Sequence, residues 1–270
     1  DVDLPDVDGY TVCRRLKAHG LLVSLDLLGE AVISDEEADR MAARYQRLIQ
    51  ELGRAGSDGG APEISVKASS LAPRFDPLSF EENIERALAR LRPLARAAAD
   101  AGIPMTLAME QSELRELTLE LALRLLEDAA LSRLRLGIVL QAYLSDTESL
   151  LPKLLERVSA AGRPLTIRLV KGAYWDYEVA RAKQMGWTIP VYLEKWQTDA
   201  AFERLTRRVL AAAPMVRTAV ASHNLRSIAH AMACAEDLRL APEAMEFQVL
   251  YGMGDVLQAV VRDAGYPVRL

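Results

Sequence analysis

Two cysteines, Cys13 and Cys234, are too few for a disulfide framework and lack the C-x-x-C spacing of a zinc site. A reducing compartment suits such a chain, and the expectation is a cytoplasmic location that extends to the periphery of the inner membrane. The three histidines, His19, His223 and His230, show no H-E-x-x-H or H-x-H spacing, which argues against a histidine-rich metal centre. Long apolar runs are missing too. Stretches such as LGIVL fall far short of the roughly 20 residues that cross a bilayer, and no signal-peptide pattern is visible. The chain opens on Asp1 rather than methionine, as a piece of a longer protein would. A net charge of −5 leaves no concentrated positive face, so no nucleic-acid partner is expected.

What is present reads as a globular protein: half of the 270 residues are hydrophobic and 26% are charged, enough for a sizeable core. Short apolar runs recur at 21–28, 63–68, 104–109, 136–144, 165–170, 218–222, 246–251 and 267–270. Segments of helical periodicity separate them. In SDEEADRMAARYQRLIQELG, Ser34 is an N-cap with Glu37 three residues on, and Met41, Tyr45, Leu48 and Leu52 share a face. The alternation predicts eight parallel strands, apolar on both faces, with seven intervening helices. That is the count of an α/β fold of the (β/α)8 TIM-like barrel type. A doubly wound open sheet is the rival, but no G-x-G-x-x-G follows the first strand. GRAGSDGGAP, 53–62, reads as a flexible connection between a helix and the next strand.

In such a barrel the active site lies at the C-terminal strand ends. In chain order those ends offer Asp26 and Glu30, Lys67, Met109 and Glu110, Gln141 and Tyr143, Arg168 and Lys171, Ser222 and His223, then Leu250 and Tyr251. Arg168 brings a planar fork of donors, Lys171 a point charge, and Gly172 a backbone that a ligand can approach closely. Together they suit an electron-rich heteroaromatic ring or a phosphate. Gln141 can donate and accept at the edge of a base or a flavin carbonyl. A partner role for Arg168 or Lys67 is expected of Glu110, and structural roles of His230 and buried Cys234. RALARLRPLARAAAD and ERLTRRVL read as solvated helix faces.

DLLGE, ISVKASSL, GIVLQAY, LVKGAYWD and EFQVLYGMG, in this order, resemble the proline dehydrogenase family, in particular the flavin domain of bifunctional proline utilization A proteins. The resemblance runs from about Leu21 to Leu270. It implies a distorted (β/α)8 barrel that binds FAD, oxidises L-proline to pyrroline-5-carboxylate and passes electrons to a quinone, with an aldehyde dehydrogenase domain or partner. Carried over by position, Arg168 would stabilise the charge of the reduced flavin. Met109, Gln141, Val170, Lys171, Gly172, Ser222 and His223 would contact the cofactor. Lys67, Tyr174 and Leu250 would form the substrate pocket, and Glu30 would gate it. Lys67 and Arg168 would be the catalytic pair.

Three departures qualify this. The family carries an aspartate on the third strand where this chain has Ala108. The chain stops at Leu270 in the eighth strand, before the family's final helix with its carboxylate-clamping arginines, so the final helix is missing and an exposed barrel seam is expected. Residues 1–20, DVDLPDVDGYTVCRRLKAHG, resemble a fragment of a response-regulator receiver domain and are set apart as a foreign lead-in. Two alternatives therefore stand beside the active dehydrogenase: a catalytically impaired FAD-binding relative, and a lyase forming a Schiff base on Lys67 or Lys171.

Overall fold

In the computed structural model, residues 9–27, 29, 31–54 and 62–270 are described, together with all their side chains except those of residues 9, 10 and 14. Eight strands lie side by side in chain order, every pair parallel. They are β1 (Ser24–Asp26), β2 (Glu63–Lys67), β3 (Met105–Ala108), β4 (Leu136–Gln141), β5 (Leu165–Val170), β6 (Val216–Ala221), β7 (Met245–Gln248) and β8 (Val268–Arg269). The helices are α1 (Gly9–Ala18), α2 (Asp35–Arg54), α3 (Phe80–Ala101), α4 (Arg115–Glu127), α5 (Thr147–Ala161), α6 (Trp175–Met185), α7 (Lys195–Leu210), α8 (Leu225–Asp237) and α9 (Asp255–Asp263). The strands follow the expected order, but the β5–β6 connection holds two helices rather than one, and α1 precedes β1. Residues 55–61, most of the expected flexible connection, lie outside the described residues.

Local chemistry accounts for the helices. At the start of α2 the Ser34 hydroxyl accepts from Glu37 N, and the Glu37 carboxylate reaches back to Ile33 N. The stripe Met41, Tyr45, Leu48 and Leu52 is buried, as the periodicity requires. Gly102, Gly162 and Gly186 end α3, α5 and α6 in the left-handed conformation.

The main core lies between the sheet and its helices. Ile64, Val66, Leu107, Ile138, Ile167, Leu169, Val220 and Phe247 project outward onto that layer. The inward faces differ from the apolar ones expected. They carry Ser24, Glu63, Ser65, Lys67, Thr106, Gln141, Arg168, Glu246, Gln248 and Arg269, most of them buried. The reason is geometric: helices cover only the outside of a closed sheet, so the alternate residues of each strand face the barrel interior. Here that interior is held by ion pairs instead of branched aliphatic layers.

The expected open seam between β8 and β1 is closed by main chain. Leu22 N donates to Val268 O (2.9 Å), Leu270 N to Leu22 O (2.9 Å) and Ser24 N to Leu270 O (2.7 Å). Arg269 reinforces the closure, donating through Nη1 to Val23 O (3.0 Å) and through Nε to Glu246 Oε1 (2.6 Å). Gln248 Nε2 and Arg217 Nη2 also bond the Glu246 carboxylate. Burial alone would push the Glu246 carboxyl up, but the bonds and charge of Arg269, with Gln248 and Arg217, outweigh it and hold it below the usual range.

Candidate active site

The C-terminal strand ends enclose a cavity of about 650 Å³, within the size range of small-molecule sites. Lys67, Met109, Gln141, Arg168, Val170, Lys171, Gly172, Tyr174, Ser222, His223 and Leu250 all line it. Thus the cofactor, substrate and catalytic residues carried over from the family line one cavity, except Glu30, which lies outside the described residues; of the other strand-end candidates Asp26 lines it too, whereas Glu110, Tyr143 and Tyr251 do not.

Lys67 ends β2, its main-chain N–H reaching the Tyr45 hydroxyl (3.4 Å) and its ammonium standing 3.8 Å from the Asp26 carboxylate. Burial raises the Asp26 carboxyl above its usual range, and the charges of Lys67 and Arg168 only partly offset this. Asp26 is the one acid lining the cavity among the described residues. It sits at the end of β1 in the polar ring, yet the family motifs had not singled it out as a site residue. Opposite Lys67 in the β2–β3 register is Ala108, which brings no carboxylate.

Arg168 occupies the middle of the cavity-facing side of β5. Its Nη2 donates to the Glu63 carboxylate and to Ser24 Oγ (3.5 Å). The expectation that Glu110 would partner Arg168 or Lys67 is not met: Arg168 pairs with Glu63 and Lys67 with Asp26. Glu110 takes part instead through its main chain, its carbonyl accepting from Gln141 Nε2 (2.9 Å). β2 and β1 face β5 across the barrel, so their charges reach Arg168, whereas Glu110 lies beyond the end of β3. Glu63 is a second residue that the motifs missed. Its signal lies in the alternation of EISVK, whose polar Glu63, Ser65 and Lys67 can face only the interior once helices cover the other side.

Lys171 Nζ donates to Asp199 Oδ1, and Asp199 is shared with Lys195. Burial would raise the Asp199 carboxyl, but its bonds to the two lysines pull it down. Gly172 has φ +131°, a region costly for other residues, and an added Cβ would lie 2.5 Å from the Tyr143 ring. Bare backbone here therefore serves the buried Tyr143 as well as the cavity. His223 accepts through Nε2 from Leu250 N (3.1 Å), which ties the β6 end to the β7 end. Tyr174 precedes α6, while Leu250 is 65% exposed at the rim. His230 Nε2 is 3.0 Å from Glu203 O and Cys234 is buried, both in structural positions.

Two polar atoms of the cavity bear on which ligand it suits. Gln141 Oε1 and Arg168 Nε are buried without a hydrogen-bond partner among the described residues. Buried groups of this kind are normally paired, so this acceptor and donor await a ligand with complementary edges. A flavin ring, with N–H, carbonyl and imine groups along one edge, meets that requirement.

A profile of the family described as proline dehydrogenase matches residues 11–270. The chain belongs to the proline dehydrogenase family. The match begins inside α1, within the lead-in set apart above, and Leu16 of that helix packs against the main core. The bifunctional protein PutA of Escherichia coli is 32% identical over 90% of this chain, which spans only 19% of that relative's length. Proline dehydrogenase 1 of Bacillus subtilis subsp. natto is 28% identical over 95% of the chain and 74% of its own length. The crystal structure of proline utilization A from Bdellovibrio bacteriovorus, inactivated by N-propargylglycine, superposes with a TM-score of 0.91 at 34% identity, covering 96% of this chain and 29% of that one.

Proposed function

We propose that this chain is the flavin barrel of an enzyme that oxidises L-proline to pyrroline-5-carboxylate. The observation that carries the reading is the convergence of Lys67, Gln141, Arg168, Lys171 and Gly172 on one cavity, with two polar atoms left for a ligand, in a member of this family. Gln141, Arg168, Val170, Lys171, Gly172, Met109, Ser222 and His223 would hold FAD. Bound there, the flavin would supply the two-electron acceptor that takes a hydride from proline C5.

The remaining work falls to the chain's own side chains. L-proline is a zwitterion, and Lys67 with Asp26 offers it a cation and an anion 3.8 Å apart. Lys67 would take the substrate carboxylate, and Asp26 the ring ammonium. Formation of the C5=N bond requires the nitrogen to shed a proton as C5 loses its hydride. Asp26, with its raised affinity for protons, is the acceptor at hand. Arg168 would add positive charge beside the electron-accepting ring. Tyr174 and Leu250 would wall off the substrate, and Glu30 would gate the entrance. A quinone as final electron acceptor and an aldehyde dehydrogenase activity for the product complete the reading. The second is supported by the bifunctional relatives, of which this chain matches one portion.

Anaerobic mixing of the FAD-loaded protein with L-proline tests this: bleaching of the oxidised flavin band is expected, and a persistent band would overturn it. Ala108 favours a second reading, an impaired flavoprotein that binds FAD but reduces it slowly. Nothing similar favours a Schiff-base lyase, since Lys67 and Lys171 are both engaged with carboxylates.

A further inference from the structure

The carboxylate missing from position 108 has a counterpart deeper in the barrel. In the β4–β5–β6 register, Arg168 lies between Val139 and Ala219, neither of which can hold a guanidinium. Its partner comes from across the interior. Glu63, 3% exposed at the start of β2, receives Arg168 Nη2 and also accepts from Ser24 Oγ (3.0 Å), which itself accepts from the same Nη2. Glu63 does not line the cavity, whereas Ser24 and Arg168 do. The carboxylate therefore stands one layer below the site and touches it only through Arg168 and Ser24. Arg168 Nε, in contrast, stays unpaired among the described residues.

We propose that Glu63 is a positioning residue that anchors Arg168 from below and tempers its charge, so that it sets the redox potential of the flavin read into the cavity above. This rests on the assignment of that cavity to FAD. Two physical consequences follow. A guanidinium fixed through Nη2 by a buried carboxylate that accepts two hydrogen bonds presents its remaining donors, on Nε and Nη1, in one orientation. A full negative charge in contact with it also lowers the positive potential that stabilises a reduced, anionic ring.

The test compares FAD-loaded wild type with Glu63→Gln, Glu63→Asp and Arg168→Met, reading the flavin midpoint potential and the dissociation constant for sulfite, an anion that adds to electron-poor flavins. Glu63→Gln removes the counter-charge at constant shape. Its sulfite affinity should rise, and its potential should climb by the equivalent of about tenfold in the two-electron equilibrium, about 30 mV. Arg168→Met should shift both readings the opposite way. If Glu63→Gln does not fold, Glu63→Asp carries the test: it keeps the charge but draws it back from Arg168 by one methylene, and should shift both readings the same way, by less. Thr106→Val, an uncharged change on the neighbouring inward face, should leave both where they were; a shift there equal to that of Glu63→Gln would assign the effect to packing and overturn the proposal. An unmoved potential in a folded, FAD-loaded Glu63 variant overturns it as well. If Arg168→Met alone moves the potential, the flavin reading survives and only the role of Glu63 falls. A wild-type protein that retains no FAD removes both.

Discussion

Lys67 and Asp26 bring opposite charges to the cavity from neighbouring strands, and each makes a separate prediction. Lys67→Met removes the cation proposed for the substrate carboxylate, a charge-assisted contact of about 1.5–3 kcal/mol, so kcat/KM for proline should fall roughly 10- to 100-fold while bound FAD is retained. Asp26 must be ionised to accept a proton, and burial raises its pKa. The rate of flavin reduction by proline should therefore decline as pH falls through that raised value. Asp26→Asn should lower the rate and abolish this acid limb, and a variant that keeps the limb would assign it to another group. Ala108→Asp places a carboxylate beside Lys67 in register and should raise turnover, measured at saturating proline. Lys67 and Gln141 were legible because they stand at the ends of apolar runs, and Arg168 because it is a lone charge within one, two residues before Val170 ends the strand. Glu63 was not, because a charge at the start of a short strand reads as a solvated end until the barrel closes over it.

Among the elements, the β7–β8–β1 seam and the β5–α6 turn carry the most strain on substitution. Glu246 is buried against Arg269, and Glu246→Gln would leave that guanidinium short of its counter-charge. A loss of about 3–5 kcal/mol is expected on denaturant unfolding. The folded Glu246 carboxyl lies below its ordinary value of 4.5, so the unfolded chain binds more protons in that interval. Its contribution is complete above 4.5 and fades as pH falls through the folded value; the glutamine variant should lose that part of the acid sensitivity. At the turn, Gly172→Ala combines a positive φ with a Cβ 2.5 Å from the Tyr143 ring, and about 2–5 kcal/mol of destabilisation with weakened FAD retention should follow. The eight strands could be read from sequence because each is a short apolar run bounded by turn residues. The second helix of the β5–β6 connection could not, since WDYEVARAKQM and KWQTDAAFERLTRRVL follow each other without a strand to divide them.

For the whole molecule, no helix among the described residues is long and apolar enough to cross a membrane, and the fold gathers its functional groups on one face of a closed sheet. Ligand binding at that face should stabilise the entire barrel, because all eight strands and several of the loops after them contribute to the cavity. At FAD concentrations 100-fold above Kd the gain is about 2.7 kcal/mol, which for a domain of this size raises Tm by roughly 5–10 °C. Differential scanning fluorimetry with and without FAD checks this.

Strand order, parallel direction and the polar ring at the strand ends were determined by sequence alone, because β-branched runs alternating with amphipathic helices admit few topologies and place strand ends on one side. What only the tertiary structure decided is which charges meet. Asp26 finds Lys67 and Glu246 finds Arg269 across neighbouring strands, where register sets which inward side chains meet, and Glu63 finds Arg168 across the barrel, where curvature brings the inward faces of β2 and β5 together; no spacing along the chain encodes either.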